Sequence, residues 1–396
     1  MMARLAEVVG KAISGEWGQD DKAGTGIPVL RTTNFTNEGV INFSEVVTRT
    51  ITKKDLSQKY LKPGDIIIEK SGGSDKQPVG RVVYYDGPPN TYLFNNFTGV
   101  LRVINPAQWD AKYLFYALRA NYLKGGTKEY QNKTTGLHNL KTEQYIQETE
   151  ICERSLIEQQ QIASILDRLR NLISLRKQQL AKLDELVKAR FVEMFGESRT
   201  NPMGWDIVLL EQIADVGSSK RVFVEELQSE GVPFYRGTEI GALAEGKTIS
   251  PELFITEQHY MELCTVTGMP TTGDLLMPSI CPDGRVWRVD TDKPFYFKDG
   301  RVLWIHPTSQ EIDCCFLQYL LKEKITTDYD SIASGTTFAE LKIFSLKALC
   351  VMLPPLEFQQ QFTLFSAKID KSKLTIQRSL DKLEVLKKAL MQEYFG

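Results

Sequence analysis

The chain carries a second copy of part of itself. Leu156–Gly196 aligns with Leu356–Gly396 at a constant offset of 200 residues without a gap. Leu156, Gln159, Gln160, Gln161, Leu180, Lys182, Leu183, Leu186, Lys188, Ala189, Glu193, Phe195 and Gly196 all recur, 13 identities in 41 positions. With small shifts the repeat runs upstream. Ile27-Pro28-Val29-Leu30-Arg31-Thr32-Thr33 matches Val232-Pro233-Phe234-Tyr235-Arg236-Gly237-Thr238, and Pro63-Gly64-Asp65-Ile66-Ile67-Ile68 matches Thr272-Gly273-Asp274-Leu275-Leu276-Met277. Gly80-Arg81-Val82 matches Gly284-Arg285-Val286, and Thr135 to Leu140 matches Thr336 to Leu341. Such a period is too long for one solenoid unit. It marks a duplicated module, a globular part followed by a long terminal segment, for which a pseudo-two-fold axis is expected.

The terminal segments are helical by composition. Leu156 to Phe195 contains neither Pro nor Gly, and strong helix formers dominate it. Leu166, Leu169, Ile173, Leu180, Leu183, Val187 and Met194 follow three-four spacing, interrupted by Arg176 and Arg190. In the second copy Ile369, Ile376, Leu383 and Leu390 are apolar where Ser366, Lys373 and Lys387 are polar. Each stripe is imperfect alone, so the two helices are expected to pack on each other as a coiled coil, each about 60 Å long at 1.5 Å per residue.

Each globular half reads as mixed α and β. Asp65–Ile68, Arg81–Tyr85, Val100–Ile104 and Val302–Ile305 are short apolar runs bounded by turn residues, as strands are; Ala111–Leu123 and Cys314–Lys324 read as helices. The fold class is α+β, two similar globular domains alternating with two long helices, divided as 1–153, 154–196, 197–353 and 354–396.

Charge is unevenly placed. The whole chain is close to neutral at −2, but residues 1–155 carry +3 and residues 197–355 carry −9. Any nucleic-acid contact in the second half therefore needs a local basic patch. Six cysteines lack a CxxC pair and three histidines lie far apart, which argues against a disulfide framework or a local zinc site. No apolar run approaches a membrane span, and the N-terminus lacks the pattern of a signal peptide, so a cytoplasmic location is expected.

The order and duplication of these motifs resemble the specificity (S) subunit of type I restriction–modification systems across essentially the whole chain. The motifs are Ile27-Pro28 with Arg31-Thr32-Thr33-Asn34, Gly64-Asp65-Ile66-Ile67-Ile68, Pro202-Met203-Gly204-Trp205, Gly335-Thr336-Thr337, and Leu353-Pro354-Pro355-Leu356-Glu357-Phe358-Gln359-Gln360-Gln361. The resemblance implies that each globular part is a target recognition domain reading one half of a split site in double-stranded DNA. It also implies that the helices pack as an antiparallel coiled coil that acts as a spacer and, with neighbouring surfaces, docks methyltransferase (M) subunits, two of them, with restriction/translocase (R) subunits joining the complex. No cofactor is then expected on this chain; S-adenosylmethionine, ATP and Mg belong to the partner subunits. The first copy departs from the pattern in having Arg154-Ser155 in place of Pro-Pro, and in lacking the Pro-x-Gly-Trp entry.

Base reading needs Arg, Lys, Asn or Gln in a groove, and positioning needs donors to phosphate. In the first half Lys70, Ser71, Gly72, Gly73, Ser74, Lys76 and Gln77 suit both tasks, with Arg81 beyond them; Lys133, Thr134, Thr135 and His138 form a second tract. In the second half the candidates are Lys220, Arg221, Arg285, Arg288, Thr336 and Thr337. Arg31 and Arg236 suit a salt bridge as well as a phosphate contact. Leu186, Phe191 and Phe195, with Leu386, Met391 and Phe395 at the same offsets, are candidate docking points for M subunits, packing inside the chain being the alternative. A protein-binding coiled-coil adaptor without DNA recognition is the rival reading.

Enzyme motifs are weak. Gly241 to Thr248 fits GxxxxGK[ST] and has a possible strand, Pro233 to Ile240, before it, but loop and strand residues follow where a helix is required. Pro282-Asp283 and Glu340-Leu341-Lys342 lie outside any metal-ligand pattern, and no Asn-Pro-Pro-aromatic step exists. The expectation is a chain without chemistry of its own.

Overall fold

The structure, a computed structural model, describes residues 1–134, 137–335 and 339–396, with Lys133 and Thr134 described in backbone only. It forms two compact units. One comprises Met1–Gln178 with Gln377–Gly396, the other Gln179–Ile376.

The first unit is centred on an antiparallel sheet of β1 (Ile13–Ser14), β2 (Ile66–Glu69), β3 (Val82–Tyr84) and β4 (Thr98–Leu101), in the order β1-β4-β2-β3. The second unit repeats it with β5 (Ala214–Gly217), β6 (Leu275–Pro278), β7 (Trp287–Arg288) and β8 (Val302–Pro307), in the order β5-β8-β6-β7. The central strands are uninterrupted apolar runs because both of their faces are covered. Ile66 and Ile68 face one apolar cluster and Ile67 another; Leu275 and Met277 likewise part from Leu276. The repeated Gly-Asp pair opens each central strand. Gly64 and Gly273 take φ of 96° and 101°, where a side chain is strained, and the following aspartate closes the turn by accepting from a backbone N–H three residues back. Asp65 Oδ2 accepts from Lys62 at 2.8 Å and Asp274 Oδ2 from Thr271 at 2.9 Å.

A helix covers one face of each sheet, α1 (Ala111–Leu123) in the first unit and, after the long helix α2 (Leu156–Phe195), α3 (Cys314–Ile332) in the second. Asp110 and Asp313 cap α1 and α3 by accepting from backbone N–H groups of the first turn. α3 runs eight residues beyond the expected Lys324. Ile325 and Tyr329 extend the apolar row of Leu321 at four-residue spacing, and no Pro or Gly intervenes before Gly335.

The recurring glutamines now have a physical reason. Gln159, in the first turn of α2, is fully buried. Its Oε1 accepts from the Asp110 N–H at 2.8 Å, and its Nε2 donates to the carbonyls of Gln108 and Arg154, both at 2.9 Å. Gln359, in the first turn of α4 (Leu356–Phe395), does the same to Asp313 N–H at 2.8 Å, Glu311 O at 2.9 Å and Pro354 O at 2.7 Å. Each amide ties the start of a long helix to the capped start of the helix on its own sheet.

Within each unit the long-helix segments run antiparallel. In the first unit Ile162, Ala163 and Leu166 share a core with Leu390, Met391, Tyr394 and Phe395, and Lys177 pairs with Glu384 at 3.3 Å. In the second, Val187, Phe191 and Phe195 share a core with Phe362, Phe365 and Ile369, and Lys373 pairs with Asp184 at 2.6 Å. The polar interruptions of the stripes are accommodated rather than excluded. Arg190 lies over the Phe365 ring and Ser366 Oγ sits 3.4 Å from Cys315 Sγ. Phe191 and Phe195 follow the packing reading and not the docking one: they are 3% and 0% accessible, in face and edge contact with Phe316 and Phe362 in the core of the second unit. Met391 and Phe395 are also partly buried, Phe395 against Tyr113, whereas Leu186 and Leu386 are exposed. Among the described residues no helix is long and apolar enough to cross a membrane.

Replacing Gln359 with Leu removes the partner of three backbone groups, the Pro354 carbonyl among them buried, and should cost the second unit about 3 kcal/mol. Urea unfolding followed by tryptophan fluorescence measures it; a change below about 0.5 kcal/mol would remove the glutamine from the framework.

Candidate nucleic-acid interface

Two tracts that are some sixty residues apart in sequence meet in the first unit. Ser71–Gly73 is a strand, not a free loop, and pairs with Leu137–Leu140, which pairs in turn with Gln131–Thr134. His138 opposes Gly73, and the Leu140 N–H donates to the Lys70 carbonyl at 2.8 Å. Gly73 is required here: a Cβ would come within 2.7 Å of the backbone nitrogen of Val79. The next residues close a tight turn in which Ser74 N–H donates to the Gln77 carbonyl at 2.8 Å and Gln77 N–H donates to Ser74 Oγ at 3.1 Å.

This turn forms one wall of an open cleft of about 420 Å³. Gly72, Gly73, Ser74, Gln77, Arg81 and Glu69 line it from one side, and Thr32, Thr33, Phe35 and Asn37 from the other. The second wall is held by Arg31-Thr32-Thr33-Asn34, in which Asn34 Oδ1 accepts from the Arg31 N–H at 2.9 Å and its Nδ2 donates to the carbonyls of Asn42 and Glu45. In the second copy Glu239 takes the place of Asn34, accepting from the Arg236 N–H at 2.8 Å.

The candidate residues divide by environment. Lys76 and Gln77 are exposed on the turn. Arg81 is neutralised: Nε donates to Glu69 Oε2 at 2.8 Å and Nη2 to Glu69 Oε1 at 3.0 Å, with the carboxylate 3% accessible. It serves as a wall of the cleft rather than as a free cation. Lys70 is half-buried and points away from the cleft, its stem crossing β4 at Gly99. Burial holds its ammonium below the ordinary lysine range, with Lys59 adding to the effect. His138 is buried, its Nδ1 3.1 Å from Gln131 Oε1 and its Nε2 3.6 Å from Asp75. Thr135 lies outside the described residues, as do the side chains of Lys133 and Thr134.

The second unit repeats the arrangement with different chemistry. Ala333–Ser334 pairs with Glu340–Leu341, and the Leu341 N–H donates to the Ser279 carbonyl at 2.8 Å, as Leu140 does to Lys70. Thr336 and Thr337 lie outside the described residues. Arg285 Nε donates to Asp283 at 3.0 Å, Arg236 pairs with Glu239 at 2.6 Å, and Arg301 pairs with Glu340. Arg288 stands apart from this edge, on β7 beside Cys314 and Asp313 at the start of α3, so it belongs to the interior framework. Lys220 and Arg221 are exposed, with Arg221 over the Phe223 ring.

The P-loop-like stretch fails on geometry. Val232–Tyr235 is the strand, not Pro233–Ile240, and Gly237–Ala244 is a helix. Gly246 and Lys247 thus follow a helix C-terminus, whose carbonyl end repels phosphate, and Lys247 pairs with Glu245. Among the described residues no group of three or more His, Cys, Asp or Glu is placed to hold a metal ion.

Residues 1–185 and 202–385 each match the type I restriction modification DNA specificity domain. Two specificity subunits from Methanocaldococcus jannaschii are similar: that of type I restriction enzyme MjaVIII, 25% identical over 305 residues (71% of this chain and 68% of the relative), and that of MjaIX, 24% identical over an alignment of 406 residues (95% and 86%). The fold is shared with the S subunit of the type I restriction–modification system of M. genitalium, with a TM-score of 0.61 at 15% identity over 100% of this chain and 96% of that one. A chain solved for complex assembly and conformational transition of a type I system gives 0.55 at 17% identity, covering 100% and 97%. Duplicated sheet, capped helix and long helix define the class of DNA-specificity modules; this chain belongs to the type I restriction–modification specificity family.

Arg81→Ala leaves Glu69 buried without its partner and should destabilise the first unit by about 3 kcal/mol, whereas Lys76→Ala should change stability by under about 0.5 kcal/mol. Equal urea midpoints for the two variants would return Arg81 to the list of free surface cations.

Proposed function

We propose that each unit reads one half of a split site in double-stranded DNA. The long helices, each continuous through residues of both units, set the gap and dock two methyltransferase subunits, with Leu186 and Leu386 among the exposed apolar positions available for contact. Restriction/translocase subunits join through that complex. The chain itself contributes no bond-making step; S-adenosylmethionine, ATP and Mg serve the partner subunits, in the cytoplasm.

The observation that carries this reading is the first-unit cleft. A glycine-backed turn bearing Gln77 and Lys76 faces a threonine-rich wall, with the one arginine between them already charge-paired. That is an arrangement of donors and acceptors suited to base edges, with Lys76 free for a phosphate. A protein-only adaptor is the second reading, favoured by the second unit. There the segment 197–355 carries −9, and Arg236, Arg285 and Arg301 are all paired with carboxylates. On the DNA reading, Lys220 and Arg221 supply the local cations of that unit.

Titration of the purified S–M complex against duplexes over a range of salt separates the two readings. Sequence-selective binding with a steep salt slope is expected, and Lys76→Ala should weaken binding evenly across sequences and reduce the slope by about 1. Binding without sequence preference, or none, favours the adaptor.

A further inference from the structure

A side-chain amide offers a base either an acceptor or a donor, and the cleft fixes which end Gln77 presents. Glu69 ends the central strand with its carboxylate buried, and it holds both Nε and Nη2 of Arg81. Nη2 also lies 3.4 Å from the Thr32 carbonyl, and the guanidinium stands over the Phe35 ring. With those edges engaged, Nη1 faces the turn. The Gln77 amide, oriented with its oxygen toward the guanidinium, accepts from Arg81 Nη1 at 2.8 Å. The reverse orientation would set an N–H against an N–H of a cation. The backbone of Gln77 is tied at both ends of the Ser74–Gln77 turn, so the side chain starts from a fixed point.

We propose that Gln77 is a specificity-determining residue of fixed polarity, presenting its NH2 to an acceptor on a base edge, with Glu69 and Arg81 as its positioning residues. The inference rests on the reading that the first-unit cleft meets duplex DNA. The bidentate glutamine–adenine pair needs oxygen and nitrogen together, and here the oxygen is held inward by a charge. Cytosine offers only an amino donor in the major groove, and adenine places its amino group beside N7. Guanine, with O6 and N7, and thymine, with O4, are the bases that suit an outward NH2.

The test uses the complete S–M complex expressed in a host without other adenine methylation, with the methylated motif read by sequencing. The parent should give a split motif that specifies one base pair at the position read by Gln77. Gln77→Ala should make that one position degenerate in one half-site and leave the other half unchanged. Gln77→Glu, which exposes only acceptors, should shift the same position to cytosine or adenine. Binding of the purified variants to duplexes varied one base at a time should show selectivity falling about tenfold at that position alone. A parent motif that Gln77→Ala leaves intact overturns the proposal while the half-site reading stands. So does a loss of affinity equal at every position, the mark of a merely structural residue. A parent complex that yields no split motif overturns both.

Discussion

Everything distinctive in this molecule hangs on a buried amide used twice. A helix of 40 residues cannot define the place of a globular sheet unless one end of it is fixed, and apolar packing alone permits sliding and rotation. Gln159 and Gln359 remove that freedom. Each satisfies one N–H at the cap of the sheet's own helix and two carbonyls from the segments around it, using both ends of the amide. A buried amide left half-satisfied is costly, so few other registers are open. The same logic explains why the glutamine recurs at an offset of 200 while most of the surrounding sequence has diverged.

From that anchor the helices add a packing surface with built-in selectivity. Ion pairs cross between the antiparallel segments, Lys177 with Glu384 in one unit and Lys373 with Asp184 in the other. Such exposed pairs contribute little stability, but a slipped register would set charges against leucines. The sheets hold the cleft-forming segments at the end of a fully buried strand. Rigid framework and exposed turn are therefore adjacent, so the turn can change without disturbing the core.

Much of the framework was legible in the sequence because its signals are local. Unbroken helix formers give the long helices, and Gly64-Asp65 and Gly273-Asp274 require a left-handed turn before a buried run. The candidate site was harder because its determinants are not local. Ser71–Gly73, Gln131–Thr134 and Leu137–Leu140 form one sheet, a pairing that no pattern within either tract announces. Arg81 looked like a free cation because Glu69 lies twelve residues away, across a hairpin. Thr32 was visible only as part of a motif that repeats, Phe35 and Asn37 lay outside that motif, and all three form a cleft wall because Asn34 holds their loop. Phe191 and Phe195 show the limit of counting apolar positions at a helix end. Exposure there depends on the globular part that packs alongside, which helical spacing does not encode.

The central claim is that the duplicated units read separate half-sites across a gap set by the helices. Exchanging residues 197–353 for the matching segment of another member of the family, in the complete S–M complex, tests it most directly. The account predicts that sequencing of methylated genomic DNA shows one half of the motif replaced, with the other half and the gap length retained. A motif altered in both halves, or a changed gap with both helices intact, would contradict it.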